Sequence, residues 1–390
     1  MRVLVSCSLG GAGHFNPLRP FLDTLVSEGD KVLVVVPPSL KAMASAFPLK
    51  VGGEPPADEL APVRDAIATR PRAIAAVFSE RELFGRLCTS AMLPAMEAAF
   101  AEWQPELVLR EPCEYAAAIL AARHGVAQAQ IAISQSEVEA SALETASPVL
   151  EAFESGIAGQ IRSSPYLTRF PASLDPESYA DTRRYREPHD RRARLANWWP
   201  GDLRPLAYMT FGSVAGGMPI APEVYKLALE VARVLPSRVL LTVGHRTNMT
   251  RLGLIPPNVR VEAWVPQDDV FAEASLVINH GGSGTVFGAL AAGLPQVIVP
   301  LFADHLRNAH RLEGAGAGLC VEIRPDNTEG RNIDMNAAAR IAEAATTVLS
   351  DAAYTSAART IGQEMARLLS TGEVLAVLRD EVALKGRPCS

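Results

Sequence analysis

Cysteine is scarce and scattered. Five residues (Cys7, Cys88, Cys113, Cys320 and Cys389) are spread over 390, with no CxxC pair. The odd count and wide spacing speak against a disulfide framework or a structural zinc site and favour reduced, mostly buried thiols. Basic charge is not in excess. Lys and Arg total 37 against 43 Asp and Glu, a formal net charge of −6, so the basic face of a general nucleic-acid binder is missing. No apolar run reaches the ~18 residues that a membrane span needs. The apolar start, residues 1–8, lacks a useful charged n-region and a cleavage site. It reads as a first strand rather than a signal peptide, and a cytoplasmic protein is expected.

Apolar residues, by contrast, make up 48% of the chain, and its length is comfortable for two domains. "RVLVSCS" reads as a strand and "LGGAGHFNP" as a Gly-rich turn. Residues 17–28 follow with Leu18, Phe21, Leu22, Leu25 and Val26 on one helical face. "KVLVVV" is nearly continuous, as in a parallel strand covered on both faces. Residues 52–72 are polar and rich in Pro and Gly, which predicts a loop region; helical text resumes over 73–103. A strand at "ELVLR", an Ala-rich helix over 115–124 and "AQAQIAIS" complete the first series.

The pattern breaks around residues 185–205, the best linker candidate, where Trp198 and Trp199 would pack a hinge and the runs "RRYRE" and "DRRAR" read as solvated surface. A second alternation of strands and helices starts at "LAYMTFGS", and the tail over 336–385 is helical. The expected architecture is α/β, with two doubly wound Rossmann-like domains. The division would be residues 1–195, a linker at 196–205, a second domain at 206–370, and a last helix at 371–390 that could return to the first domain. In such sheets ligands bind beyond the carboxyl ends of the strands.

The strongest motif is "LVINHGGSGTVFGALAAGLP". An apolar strand ends at His280, and Gly281, Gly282, Ser283, Gly284 and Thr285 carry almost no side chain. Glycine lets a ligand approach the backbone closely. The helix that starts near Ser283 presents unpaired N–H groups and a positive dipole end, suited to phosphate. A plain βα turn needs fewer small residues. "TFGS", ending at Ser213, repeats the arrangement, so two turns would hold one diphosphate. "EAWVPQDDVF" places Trp264 and Gln267 after a short strand, where an indole could stack on a base or simply fill the core. "PLFADHLRNAH" sets Asp304 beside His305, able to hold sugar hydroxyls or to cap a helix. In the first half, "GGAGHFNP" is a poor dinucleotide fingerprint, because Asn16 stands where the third Gly belongs. Its His14 is a candidate base, and "LREPCEY" offers Glu111 and Glu114 as its acidic support.

The series "GHFNP", "TFGS", "WVPQ", "HGGSGT" and "PLFADHLRNA" resembles the GT-B glycosyltransferases over nearly the whole chain, and most closely the bacterial branch that decorates natural products. The resemblance implies two domains facing across a cleft and inversion at the anomeric carbon. It implies His14 as the base for the acceptor hydroxyl. Trp264 and the Val265 backbone would hold the nucleotide base, with Gln267 near its sugar. Ser213, His280, Ser283, Gly284 and Thr285, with the Gly282 backbone, would bind the diphosphate, and Asp304 and His305 the donated sugar. Plant relatives carry a ribose-clasping Glu eight residues after the His, where this chain has Gly288. That departure favours a dTDP-deoxysugar over a UDP-sugar. No DxD pair is present, which favours a site without metal or other cofactor.

The expected partners are therefore a nucleotide-sugar donor and a small-molecule aglycone, with no nucleic acid and no membrane span; a homodimer is left open. The irregular stretch 52–92, with Phe78, Phe84 and Met92, reads as a pocket for a bulky apolar acceptor. Such a pocket argues against a nucleotide-sugar 2-epimerase. The intact His14 and turns argue against a non-catalytic nucleotide-binding partner of another transferase.

Overall fold

The computed structural model describes every residue except 10, 177, 189–192, 219, 303, 324–332, 335 and 386–390, and gives the backbone alone for Arg72, Ser213, Val214 and Lys385. The chain divides into two compact units, Met1–Pro188 with Leu368–Ser390, and His189–Arg367.

The first unit is built on a parallel eight-stranded sheet. Its strands are β1 (Arg2–Ser6), β2 (Lys31–Val36), β3 (Leu49–Val51), β4 (Leu107–Arg110), β5 (Ala127–Ile131), β6 (Tyr166–Thr168) and β7 (Thr182–Arg186), closed at one edge by Leu369–Ser370. Alternate β1 residues point to opposite faces. Val3 and Val5 join Phe15, Phe21 and Leu25 on one side, and Leu4 joins Met96, Phe100 and Ile119 on the other. Burial on both faces explains why "KVLVVV" carries no polar alternation. The helix Thr371–Lys385 packs Val374, Leu375 and Leu378 into the same cluster as Phe21 and Leu25. Arg379 is ion-paired with Glu28 at 2.6 Å.

The second unit carries a parallel six-stranded sheet in the order β10-β9-β8-β11-β12-β13. These strands are β8 (Leu206–Thr210), β9 (Arg238–Thr242), β10 (Val259–Glu262), β11 (Leu276–Asn279), β12 (Gln296–Ile298) and β13 (Gly318–Cys320). The edge strand of the first unit, Leu369–Ser370, is β14.

Three local expectations differ from the structure. Residues 57–69 form a helix, Ala57–Thr69, despite Pro62 inside it. Burial of Ala66, and of Val63 against Leu83, Phe84 and Leu87, outweighs the local signal. "RRYRE" is not solvated surface but β7 and its end. Tyr185 is fully buried edge-on against Phe21, and Arg183 and Arg184 bond Asp181, Glu381 and the carbonyls of Phe170 and Asp175. The segment 196–205 lies in the second unit, where Trp198 and Trp199 pack beside Leu206, Tyr208 and Phe271. Of "DRRAR", residues 190–192 fall outside the described residues.

Candidate active site

In the first unit, β1 pairs with β4 so that Ser6 stands opposite Arg110. The loops leaving these two strands are therefore neighbours, and they carry Ser8 and His14 on one side and Glu111 on the other. His14 lies in the short helix Ala12–Phe15, entered through Gly11 at φ 88°, a left-handed conformation that favours glycine. Its Nδ1 is 3.4 Å from Glu111 Oε2. Glu111 is fully buried and accepts from Ser8 Oγ at 2.9 Å, the Ser8 amide at 3.3 Å and the Cys113 amide at 2.7 Å. Burial pushes its carboxyl up, but the neighbouring His14 and these donors outweigh that and hold it below the usual range.

Glu114 is not part of this pair. Its carboxylate turns to the start of the helix Ala116–His124 and accepts from the Ala117 amide at 3.0 Å, while burial pushes it up to about 7. Cys113 Sγ, a His14 ring nitrogen and a Glu111 oxygen lie within 4.8 Å of one another. Burial and the Glu111 charge push the Cys113 thiol well up.

Phe84 lies parallel to His14, ring centres 5.5 Å apart, on the π-helix Phe78–Cys88. Phe78 is elsewhere, lining a cavity of about 480 Å³ with Pro62, Val63 and Val77, rimmed by Arg86 and Glu82. Met92 is a core residue rather than a pocket wall. It is 1% exposed, and its Sδ fills the space where a Cβ on Gly52 would stand, at 2.5 Å. The structure thus places Phe84 beside the candidate base, with Phe78 lining a cavity and Met92 in the core.

In the second unit the strand register brings together the residues expected to bind the donor. Asn279 of β11 pairs with Thr210 of β8 and with Ile298 of β12, so the loops after all three strands converge. Gly281, at φ 93°, could carry no side chain, because a Cβ would meet the His305 carbonyl at 2.7 Å. Gly282 is the N-cap of the helix Ser283–Ala291. The His280 ring fills the space beside Gly282 and Gly212: a Cβ on either would stand 2.5 or 2.7 Å from its Nε2. Ser213 is the second residue of the short helix Gly212–Ala215 after β8, with its side chain outside the described residues. Ser283 and Gly284 hold the first two helical positions, whose N–H groups have no partner within the helix.

Side chains close the ring. Ser283 Oγ donates to Asp304 Oδ2 at 2.9 Å, so Asp304 reaches across to the turn instead of capping its own helix, His305–Gly314. Asn308 ties both together, donating to the Gly281 carbonyl at 2.8 Å, Ser283 Oγ at 3.1 Å and Asp304 Oδ2 at 3.1 Å. His305 stands edge-on to His280 at 4.6 Å and accepts from the Phe302 amide through Nδ1 at 3.2 Å. Gln267 donates to Thr285 Oγ1 at 3.1 Å, which brings the "WVPQ" loop to the turn. Trp264 is 61% exposed and so is no core residue; Val265 packs behind it with Leu206 and Tyr208. Burial, then His305, push His280 down to about 3. It is therefore neutral near pH 7 and offers a hydrogen bond rather than a charge. Asn308 was absent from the sequence reading; its spacing of four from Asp304, one helical turn, is the signal that could have found it.

Residues 227–380 match the family model described as erythromycin biosynthesis protein CIII-like, C-terminal domain. The L-demethylnoviosyl transferase of Streptomyces niveus is 29% identical over 376 residues, covering 94% of each chain. Among solved structures, the glycosyltransferase SnogD from Streptomyces nogalater is 26% identical with a TM-score of 0.76, covering 98% of this chain and 99% of its own. Spinosyn rhamnosyltransferase SpnG, complexed with thymidine diphosphate, shares the fold with a TM-score of 0.76 at 21% identity, over 97% of this chain and all of its own. Two parallel α/β sheets, a ring of small residues after β11 and these likenesses agree: the chain is a glycosyltransferase of GT-B fold, similar to the bacterial natural-product enzymes of antibiotic biosynthesis.

Proposed function

We propose that this enzyme moves a deoxysugar from dTDP to a hydroxyl of a bulky natural-product acceptor, with inversion and without a metal ion. The observation that carries the reading is His14 held against the buried, ionised Glu111. Glu111 orients the ring so that the Nδ1 proton faces the carboxylate, which leaves Nε2 as the base. Nε2 takes the acceptor proton as the acceptor oxygen forms a bond to the anomeric carbon. The bond from that carbon to the phosphate oxygen breaks, and its electron pair leaves with dTDP. Attack from the face opposite the leaving group inverts the centre.

The developing charge on the diphosphate would be met by the N–H groups of Ser283 and Gly284 and by neutral His280, all fixed before the reaction. Asp304, already bonded by Ser283 and Asn308, and His305 line the place of the sugar. Exposed Trp264 would stack on thymine. The dTDP preference is supported by Gly288. A side chain there would meet the Phe271 ring at 2.9 Å, so no carboxylate arm reaches the ribose from this position. The thymidine diphosphate bound by the similar SpnG agrees with this preference.

Calorimetric titration with dTDP and UDP tests the donor, with dTDP expected to bind more tightly; equal or tighter UDP binding overturns that choice. Proton NMR of the product tests the stereochemistry, and retention at the anomeric centre would overturn the direct displacement.

A further inference from the structure

We propose that Glu80 is a second carboxyl group of the acceptor half-site, which holds the acceptor by donating a hydrogen bond to an oxygen near the reacting hydroxyl. The inference rests on the reading of His14 as the acceptor base. Glu80 stands on the π-helix Phe78–Cys88, four residues before Phe84. With i→i+5 bonding a turn takes more than four residues, so positions four apart share a face. Phe84 lies parallel to His14 at 5.5 Å, which turns that face towards the base. The fields of His14 and Glu111 both act on Glu80, and Glu80 acts in turn on Cys113 and Tyr115. A third element thus adds an acid to the His14–Glu111 pair.

The two acids differ in what surrounds them. Glu111 is enclosed and accepts from three donors. Glu80 is only half-buried by surface area, with Ser79 as its hydrogen-bonding neighbour. Burial pushes it up to about 7, with His14 pulling down and Glu111 pushing up. Near neutrality it therefore keeps its proton for much of the time and can donate, while Glu111 only accepts. Two carboxyls of different acidity acting on one imidazole can divide labour. Here one would steady the base and the other the acceptor. The ligand class is an acceptor with a second oxygen, hydroxyl or carbonyl, near the one that is glycosylated.

The test uses a dTDP-deoxysugar, dTDP-L-rhamnose, and the hydroxylated polyketide aglycone that the wild type turns over fastest among a panel. Glu80→Ala should raise the acceptor KM roughly five- to tenfold, the worth of one hydrogen bond. The donor KM and the melting temperature should stay unchanged. Glu80→Gln, which keeps a donor of the same shape, should restore the acceptor KM to within about twofold. If the Ala protein does not fold, Glu80→Asp, one carbon short, must show the same acceptor-only rise. A normal acceptor KM in Ala or Asp, or equal losses in Ala and Gln, overturns the proposal. His14→Ala is assayed alongside. If that protein is active, the base reading fails; if it is inactive and Glu80 variants behave as wild type, only the Glu80 role fails.

Discussion

His14 Nδ1 and Glu111 Oε2 stand 3.4 Å apart, and each is supplied by a different strand end, β1 and β4. The pairing gives the imidazole one orientation. Replacing His14 with Ala is expected to lower kcat by ~10²–10⁴-fold while dTDP binding is unchanged. Steady-state kinetics and calorimetry on one preparation check both halves; near-normal turnover ends the base assignment.

Gly284 and Gly282 make opposite demands on a methyl group. Nothing lies within 4 Å of a Cβ on Gly284, whereas one on Gly282 meets His280 Nε2 at 2.5 Å. Gly284→Ala should keep or slightly raise the melting temperature, since Ala suits a helix better by about 1 kcal/mol. It should nevertheless weaken dTDP binding roughly tenfold or more, by blocking one charge-assisted hydrogen bond. Gly282→Ala should lose both stability and binding. Unchanged dTDP affinity in Gly284→Ala would remove the diphosphate from this turn.

The two buried acids after β4 give stability opposite slopes with pH. Glu111 is held below 4.5 in the folded chain, so its contribution is present above that value and disappears as acid protonates it. Glu114 is raised from 4.5 to about 7, so its contribution is present below pH 4.5 and is lost as pH rises through about 7. The melting temperature of Glu114→Gln relative to wild type should therefore climb between pH 4.5 and 7.5. A flat difference across that range contradicts the raised value.

Metal removal should leave turnover untouched. Dialysis against EDTA, followed by assay with and without Mg²⁺, checks this. Activity lost on chelation and regained with the ion would displace the amide groups and His280 from their role on the diphosphate.

The turn after β11 was legible because its signal is local: an apolar strand followed by residues with almost no side chain. Glu111 and Glu114 could not be told apart in sequence, since both follow β4 and only the β1–β4 pairing selects the first. The helix Ala57–Thr69 was hidden by Pro55, Pro56 and Pro62, whose local preference is overridden by burial of Val63 and Ala66. β7 was hidden by its arginines, which bond carbonyls and acids contributed from distant positions. Glu80 lies in polar text with no period to mark it, and only the face it shares with Phe84 singles it out.

The pairing of β7 with β14 sets Arg186 opposite Ser370, at the two points where the chain leaves the first unit and re-enters it. The second unit is thus an insert whose ends return to one strand pair, so exchanging it whole takes two crossovers. A chimera with both crossovers, after Pro188 and before Leu368, keeps the native partners of Arg183 and Arg379 in place. A hybrid spliced only at the first would leave a foreign C-terminal helix to dock where Val374, Leu375 and Leu378 belong.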